Sequence, residues 1–497
     1  MGGPAIARLA PRVHAAWTRD WYAGDPALTA LFGAAPSTGS LEQTARAVDA
    51  PAPPDHGHWA ACLMPEPEAA PVPSDALVVL AGQQPVLAGG PLLVAHKAAT
   101  AIRLARDLGP SLGRPVIPVF LLATEDHDSS EVDHVDFFDH SNGSLRRVRA
   151  GIQPQHEAFF RSAWKAPDVE RAVATLTDGR AQLDAKTLSG SFSGHVVDLL
   201  RAAFGPLGLR FVEAHRLQAA GAPILARALD EPTALASALT DGARALEALG
   251  LRASFDPDDP RPLVLESREG RRRRLEPADA EAGRRQASHP EDFSPHAALR
   301  PVVQAAALPV VAQVCGPSEI VYLGQARSLH GLFGVTPPVL VPRLEATRLP
   351  DGAGPESLDA TDLPGASADL DAALSRLLAS VEEFERTVGA ADPGLAGKLR
   401  RWHDAAARSA GRLAAAPAWR GRSPGGEADA LKPRGRPQDT TLSWIAEAWR
   451  HGDPAAWGRH IVELCRPLEP PAHVVHHGPA SPGDAVGHPS SRESRHG

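Results

Sequence analysis

VVLAGQQPVLAGGPLLVAHKAATAIRLARDLGPSLGRPVIPVFLLATEDHDSSEVDHVD, residues Val78 to Asp136, decides the fold. An apolar run, Ala76 to Ala81, stops at Gly82-Gln83-Gln84-Pro85. After Gly89-Gly90-Pro91, residues Leu92 to Leu108 carry apolar side chains at helical spacing and stop at Gly109-Pro110. A second apolar run, Val116 to Leu122, ends in Ala123-Thr124-Glu125-Asp126-His127-Asp128. Strand, glycine-rich turn, helix, strand and polar cluster make one βαβ unit. Neither strand alternates in polarity, which predicts parallel strands covered on both faces. Ligands of such sheets bind beyond the carboxyl ends of the strands. The segments Gly82–Gly90 and Thr124–His134 fall at that edge, and Gln83–Gly90 and Thr124–His127 are expected to line one pocket.

Further along, strand signals at Leu207–His215, Pro309–Val314 and Pro338–Pro342 alternate with amphipathic helices. This pattern predicts an α/β protein, a Rossmann-like doubly wound parallel sheet. Residues 1–75 read as a helical preface packed on the core, with helices at His14–Tyr22 and Pro26–Phe32. The core is expected over 76–345, with inserted segments at about 155–205 and 257–295. Residues from Phe137 to Gly151 read as loop or edge strand, and Gly270 centres a hairpin. The basic run Arg271–Arg274 reads as a solvated hairpin, with an anion contact as the alternative.

From Leu370 to Val388 and from Leu395 to Leu413, apolar residues are spaced four and three apart, separated by Asp392-Pro393-Gly394. Residues 366–415 thus predict an antiparallel coiled-coil hairpin, a C-terminal arm that packs on its own body or on a second subunit. Residues 436–475 return to the core through an amphipathic helix and a short strand at Ala472–Val475. Residues 476–497 are rich in Pro, Gly, Ser and His and are expected to be disordered.

Two stretches quoted above, GQQPVLAGGPLLVAHKAATAI and PVFLLATEDHDSSEVDHV, resemble the bacillithiol biosynthesis cysteine-adding enzymes, the BshC family. Residues Phe293–Arg343 and the RPQDTTLSWI stretch, Arg436–Ile445, resemble it too. The resemblance implies a Rossmann-type core, a coiled-coil arm used in homodimerisation, and a ligase. That ligase adds L-cysteine to an amino-sugar malate conjugate, glucosaminyl-malate, as the last step to bacillithiol. Amide formation needs an activated carboxyl, so ATP is the expected energy source, although HIGH and KMSKS are absent. The sequence departs from the family pattern at Cys315, Ser318 and His296.

The candidate ligand groups follow. Gly82, Gln83 and Gln84, with Gly89 and Gly90, offer close backbone approach and amide hydrogen bonding; a tight turn with surface glutamines is the alternative. Lys97 is placed to reach an anionic ligand, and neighbouring His96 reads as a core or surface residue. Thr124, Glu125, Asp126 and His127 crowd titratable groups at a strand end. Repulsion is expected to raise a carboxyl there, and the carboxylates to charge the histidine, making Asp126 and His127 the expected catalytic pair. Asp128 and Glu131 read as a helix cap. Arg300, Gln304, Gly316, Pro317 and Glu319 form a second constellation, Gly316-Pro317 opening a helix. Cys315 reads as a buried strand-end residue.

A rival reading places His127, Glu131 and His134 on one helix face, as in a divalent-metal hydrolase. Another is a non-catalytic nucleotide- or sugar-binding protein. No metal or prosthetic group is otherwise expected. Net charge is −8 over 497 residues, which disfavours nucleic acid and anionic membranes as partners. Three cysteines without paired spacing fit a reducing cytoplasm, and no apolar stretch is long enough to span a membrane.

Overall fold

The computed structural model describes residues 7–9, 17–49, 59–66, 70–139, 143–150, 157–161, 166–181, 192–256, 258–277, 279–349, 436–450 and 452–477. The expected arm over 366–415 lies outside the described residues, as does all but the first two residues of the expected tail. In chain order the strands are β1 (Ala7–Leu9), β2 (Leu77–Gln83), β3 (Val116–Leu122), β4 (His134–Asp139), β5 (Ser144–Arg149), β6 (Arg210–Glu213) and β7 (Val264–Arg268). They continue with β8 (Arg271–Arg274), β9 (Phe293–Pro295), β10 (Val310–Cys315), β11 (Val339–Pro342), β12 (Glu345–Arg348) and β13 (His473–His476).

The central sheet has five strands in the order β11-β10-β2-β3-β6, every pairing parallel. Chain order runs outward from β2 through β3 to β6, then returns to β10 and β11 on the other side. The switch point lies between β2 and β10, where a doubly wound sheet opens its ligand crevice. Alternation along β2 sends Leu77, Val79 and Ala81 to one face and Val78 and Leu80 to the other, and both faces are buried. The first face packs on the helices Leu92–Leu112, Phe192–Phe204 and Pro454–Leu464; the second packs on Gln218–Asp230 and Arg300–Ala307. The unbroken apolar runs of the sequence are the direct consequence of this double cover.

Three smaller sheets surround the core. β4 and β5 form an antiparallel hairpin where loop or edge strand was expected. β8-β7-β9 folds the insertion at 257–295 into an antiparallel sheet. β13 joins β12 in parallel and β1 antiparallel, tying both ends of the described chain to the body. Among the described residues near the N-terminus, Trp21, Leu28, Leu31 and Phe32 pack on Ile320, Leu323 and Leu340, so the helices Trp17–Tyr22 and Pro26–Phe32 cover that part of the core.

Two helix limits differ from the sequence reading. The helix begun at Leu92 runs through Pro110 to Leu112 and ends at Gly113, whose φ of 63° is left-handed. A proline in the last turn removes one N–H bond without ending the helix. After Asp128 the helix spans only Ser129–Val132, because β4 begins at His134.

Candidate functional site

A cavity of about 490 Å³ opens at the switch point. The carboxyl end of β2 supplies Gly82, Gln83 and Gln84, and the turn after β3 supplies Asp126. Arg300, Gln304 and Tyr322 come from two helices, and Gln313 comes from β10. Gly316, Pro317, Ser318 and Glu319 line it from the start of the helix that follows β10. Pro437 and Thr440 close one wall from the returning C-terminal segment.

Lys97 is the central strut. It is 1 % exposed, and its Nζ donates to the Gly82 carbonyl at 2.8 Å, to Gln83 Oε1 at 2.9 Å and to Glu319 Oε1 at 2.8 Å. An ammonium has three donors, so these contacts fill it. The expected reach of Lys97 to an anionic ligand is thereby corrected: it pins the end of β2 to the helix after β10. Glu319 also accepts from the Gly316 N–H at 2.7 Å, capping that helix.

Asp126 sits across the crevice. Its Oδ2 accepts from Gln84 Nε2 at 3.0 Å, its Oδ1 accepts from the His127 N–H at 2.7 Å, and Arg300 lies 3.7 Å away. Burial opposes its charge, but Arg300 and Arg272 with those two hydrogen bonds hold the carboxyl below its ordinary range. Mutual repulsion was expected to raise it. The lowering follows from two arginines the spacing did not reveal, which leave Asp126 an ionised acceptor.

Arg272 comes from β8, where the basic run alternates: Arg271 and Arg273 are exposed and Arg272 is buried. It donates to Ser294 Oγ at 2.9 Å and to the Pro295 carbonyl at 3.2 Å, and it faces His127 Nδ1 at 3.2 Å. Burial lowers its own pKa to about 10, still cationic at neutral pH. A guanidinium only donates, so Nδ1 of His127 accepts and the ring proton sits on Nε2. Nδ1 also lies 3.7 Å from Asp126 Oδ1, so His127 stands between a guanidinium and a carboxylate.

Other expected site residues serve the architecture. Thr124 is buried and meets His215 Nδ1 at 2.9 Å, joining the ends of β3 and β6. Glu125, 3 % exposed, pairs with Arg300 Nε at 2.9 Å behind the cavity. Gly89 and Gly90 do not reach the cavity. Gly89 has φ of 78°, its carbonyl accepts from Trp444 Nε1 at 2.9 Å, and a Cβ there would stand 2.6 Å from that nitrogen. His96 is a core residue, 1 % exposed.

The metal arrangement is also corrected. His127 precedes the four-residue helix, and His134 opens β4, where its Nδ1 contacts Asp133 at 2.7 Å, so the three residues share no helix face. Asp128 caps the short helix through the Ser130 N–H at 3.0 Å, as expected, whereas Glu131 is merely exposed in its first turn. Among the described residues, the acidic and histidine ligand atoms close enough for one ion are those of His289, Glu291 and Asp292, outside the cavity. Cys315 is buried at the end of β10, and burial pushes its thiol well up, leaving no thiolate nucleophile.

The sequence reading missed Arg272, Gln313, Tyr322, Arg343, Pro437 and Thr440. Arg343, largely buried, lines the cavity and donates to Asp439 Oδ2 at 2.8 Å. For Arg272 the expected hairpin around Gly270 was the available signal, because a strand there turns alternate arginines inward.

A family profile described as "Bacillithiol biosynthesis BshC, N-terminal Rossmann-like domain" matches residues 72–344, more than half of the chain. The chain belongs to the BshC family. Relatives named "Putative cysteine ligase BshC" include one from Koribacter versatilis, 33 % identical over 305 residues and covering 55 % of either chain. One from Shouchella clausii is 28 % identical over 306 residues, 56 % of either chain. One from Staphylococcus aureus is 28 % identical over 301 residues, 55 % of this chain and 56 % of its own. The chain spans about half the length of the curated relatives it matches. The match to the BshC profile contains the whole central sheet and every cavity residue except Pro437 and Thr440. Among the described residues no helix is long and apolar enough to cross a membrane.

Proposed function

We propose that this chain is a cysteine ligase of bacillithiol biosynthesis. It joins the carboxyl of L-cysteine to the amine of glucosaminyl-malate in the cytoplasm. The supporting observation is the cavity at the switch point, whose rim is built from the stretches that carry the BshC resemblance. In the reaction the amine nitrogen replaces a carboxyl oxygen of cysteine and loses its proton, and ATP, split in the same turnover, carries that oxygen away. Asp126, ionised and fixed by Gln84, accepts from the substrate amine and orients it, with His127, its neighbour in sequence, taking part in proton transfer.

The cavity residues do not fit a triphosphate. Lys97, Arg300 and Arg343 each already hold a carboxylate, so no step is assigned to nucleotide bound among them. Homodimerisation through residues 366–415 belongs to the same proposal, supported by the heptad spacing of that segment.

Extracts of cells lacking the protein test the reading. Glucosaminyl-malate is expected to accumulate and bacillithiol to vanish. An unchanged pool of small thiols would overturn it and favour a binding protein without ligase activity.

A further inference from the structure

The charged groups around the cavity are matched inside the protein. Lys97 meets Glu319 at 2.7 Å, Arg300 meets Glu125 at 2.9 Å and Asp126 at 3.7 Å, and Arg343 meets Asp439 at 2.8 Å. What remains is neutral. Gln304, Gln313 and Tyr322 line the cavity from three different elements, and among the described residues their side chains make no hydrogen bond. Gln304 is the sharpest case: it is 7 % exposed, so its carboxamide is largely withdrawn from solvent yet faces the cavity. A carboxamide that opens only onto the cavity takes its hydrogen bonds from cavity water or from a ligand. Burial and the nearby Glu319 carboxylate also raise the Tyr322 phenol well above its ordinary range, which keeps it a protonated donor on the cavity lining.

We infer that Gln304 is a specificity-determining residue, which with Gln313 and Tyr322 reads a neutral, hydroxyl-bearing sugar ring. A carboxamide donates and accepts at adjacent positions, and vicinal hydroxyls do the same, whereas a second anionic group would meet no uncommitted cation here. The inference rests on the amino-sugar reading of the cavity and assigns the ring, rather than the malate carboxylates, to this wall.

Calorimetric titration of the full chain with glucosaminyl-malate and with N-acetylglucosamine tests it. Gln304→Met keeps the side-chain length and removes both hydrogen-bonding atoms. It is expected to weaken glucosaminyl-malate by roughly 10-fold or more with an unchanged unfolding midpoint, the scale on which a site built for a hydroxyl discriminates. Tyr322→Phe, on another helix, is expected to act in the same direction and carries the test if the first variant fails to fold. Binding by a folded variant within about threefold of the parent overturns the inference, as does a parent protein that binds neither sugar. A parent that binds N-acetylglucosamine through Gln304 but makes no bacillithiol sinks the ligase reading and leaves this inference standing.

Discussion

Lys97 carries one charge and three donors, all engaged by Gly82, Gln83 and Glu319. Its role is to hold two loops at a fixed separation. Replacing it by methionine fills the volume but leaves the Glu319 carboxylate, still about a quarter exposed, without its cation. Breaking a buried pair in this way costs about 3–5 kcal/mol, and the partial exposure lowers that to roughly 2–4 kcal/mol. Urea unfolding of Lys97→Met is expected to show this loss together with weaker substrate binding. Full stability with binding abolished would mean that Lys97 contacts substrate after all. Residue types alone did not separate these roles: a lysine beside a glycine loop looks like an anion contact until its three acceptors are in place.

The βαβ unit was legible because its elements are local. Val116–Leu122 is the observed β3, and the start of the helix at Leu92 was read correctly. The parallel sheet followed from unbroken apolar runs. Pairings across long sequence distance were not legible. The insertion folds as a sheet that sends Arg272 behind Asp126, across 146 residues of chain. The returning segment likewise brings Trp444 onto Gly89. These pairings give Asp126 a carboxyl that is lowered rather than raised and make Gly89 a packing position rather than a ligand contact. Gly89→Ala tests the second point. At a φ of 78°, with its Cβ aimed at the Trp444 ring, the variant is expected to lose roughly 2–4 kcal/mol of stability. Its substrate affinity per folded molecule should stay unchanged, as titration corrected for the folded fraction would read. A selective loss of affinity would return Gly89 to the site.

At the scale of the whole molecule, three of the buried histidines contribute to the response to acid. Burial lowers His195 and His330 to about 4, and burial with the neighbouring His460 lowers His476 to about 3. Unfolded histidine titrates near 6.5. Below that pH the unfolded chain binds protons that the folded one refuses, so stability falls as pH falls towards 4. From pH 7.5 to 5.5 each histidine contributes a loss of about 1.4 kcal/mol, roughly 4 kcal/mol for the three. Urea midpoints at the two pH values check this, and equal midpoints would contradict it. The heptads at 370–388 and 395–413 predict a homodimer, and Leu374→Glu with Leu377→Glu is expected to give a folded monomer in sedimentation. A parent protein already monomeric at micromolar concentration would contradict that assembly. The most direct test of the whole account is the reaction itself. Purified protein is incubated with L-cysteine, glucosaminyl-malate and ATP, and the thiol product is followed by mass spectrometry. The parent is expected to form bacillithiol and Asp126→Asn to form it roughly 10²-fold more slowly while still folded. A folded parent that makes no product, or an Asp126→Asn variant as fast as the parent, would contradict it.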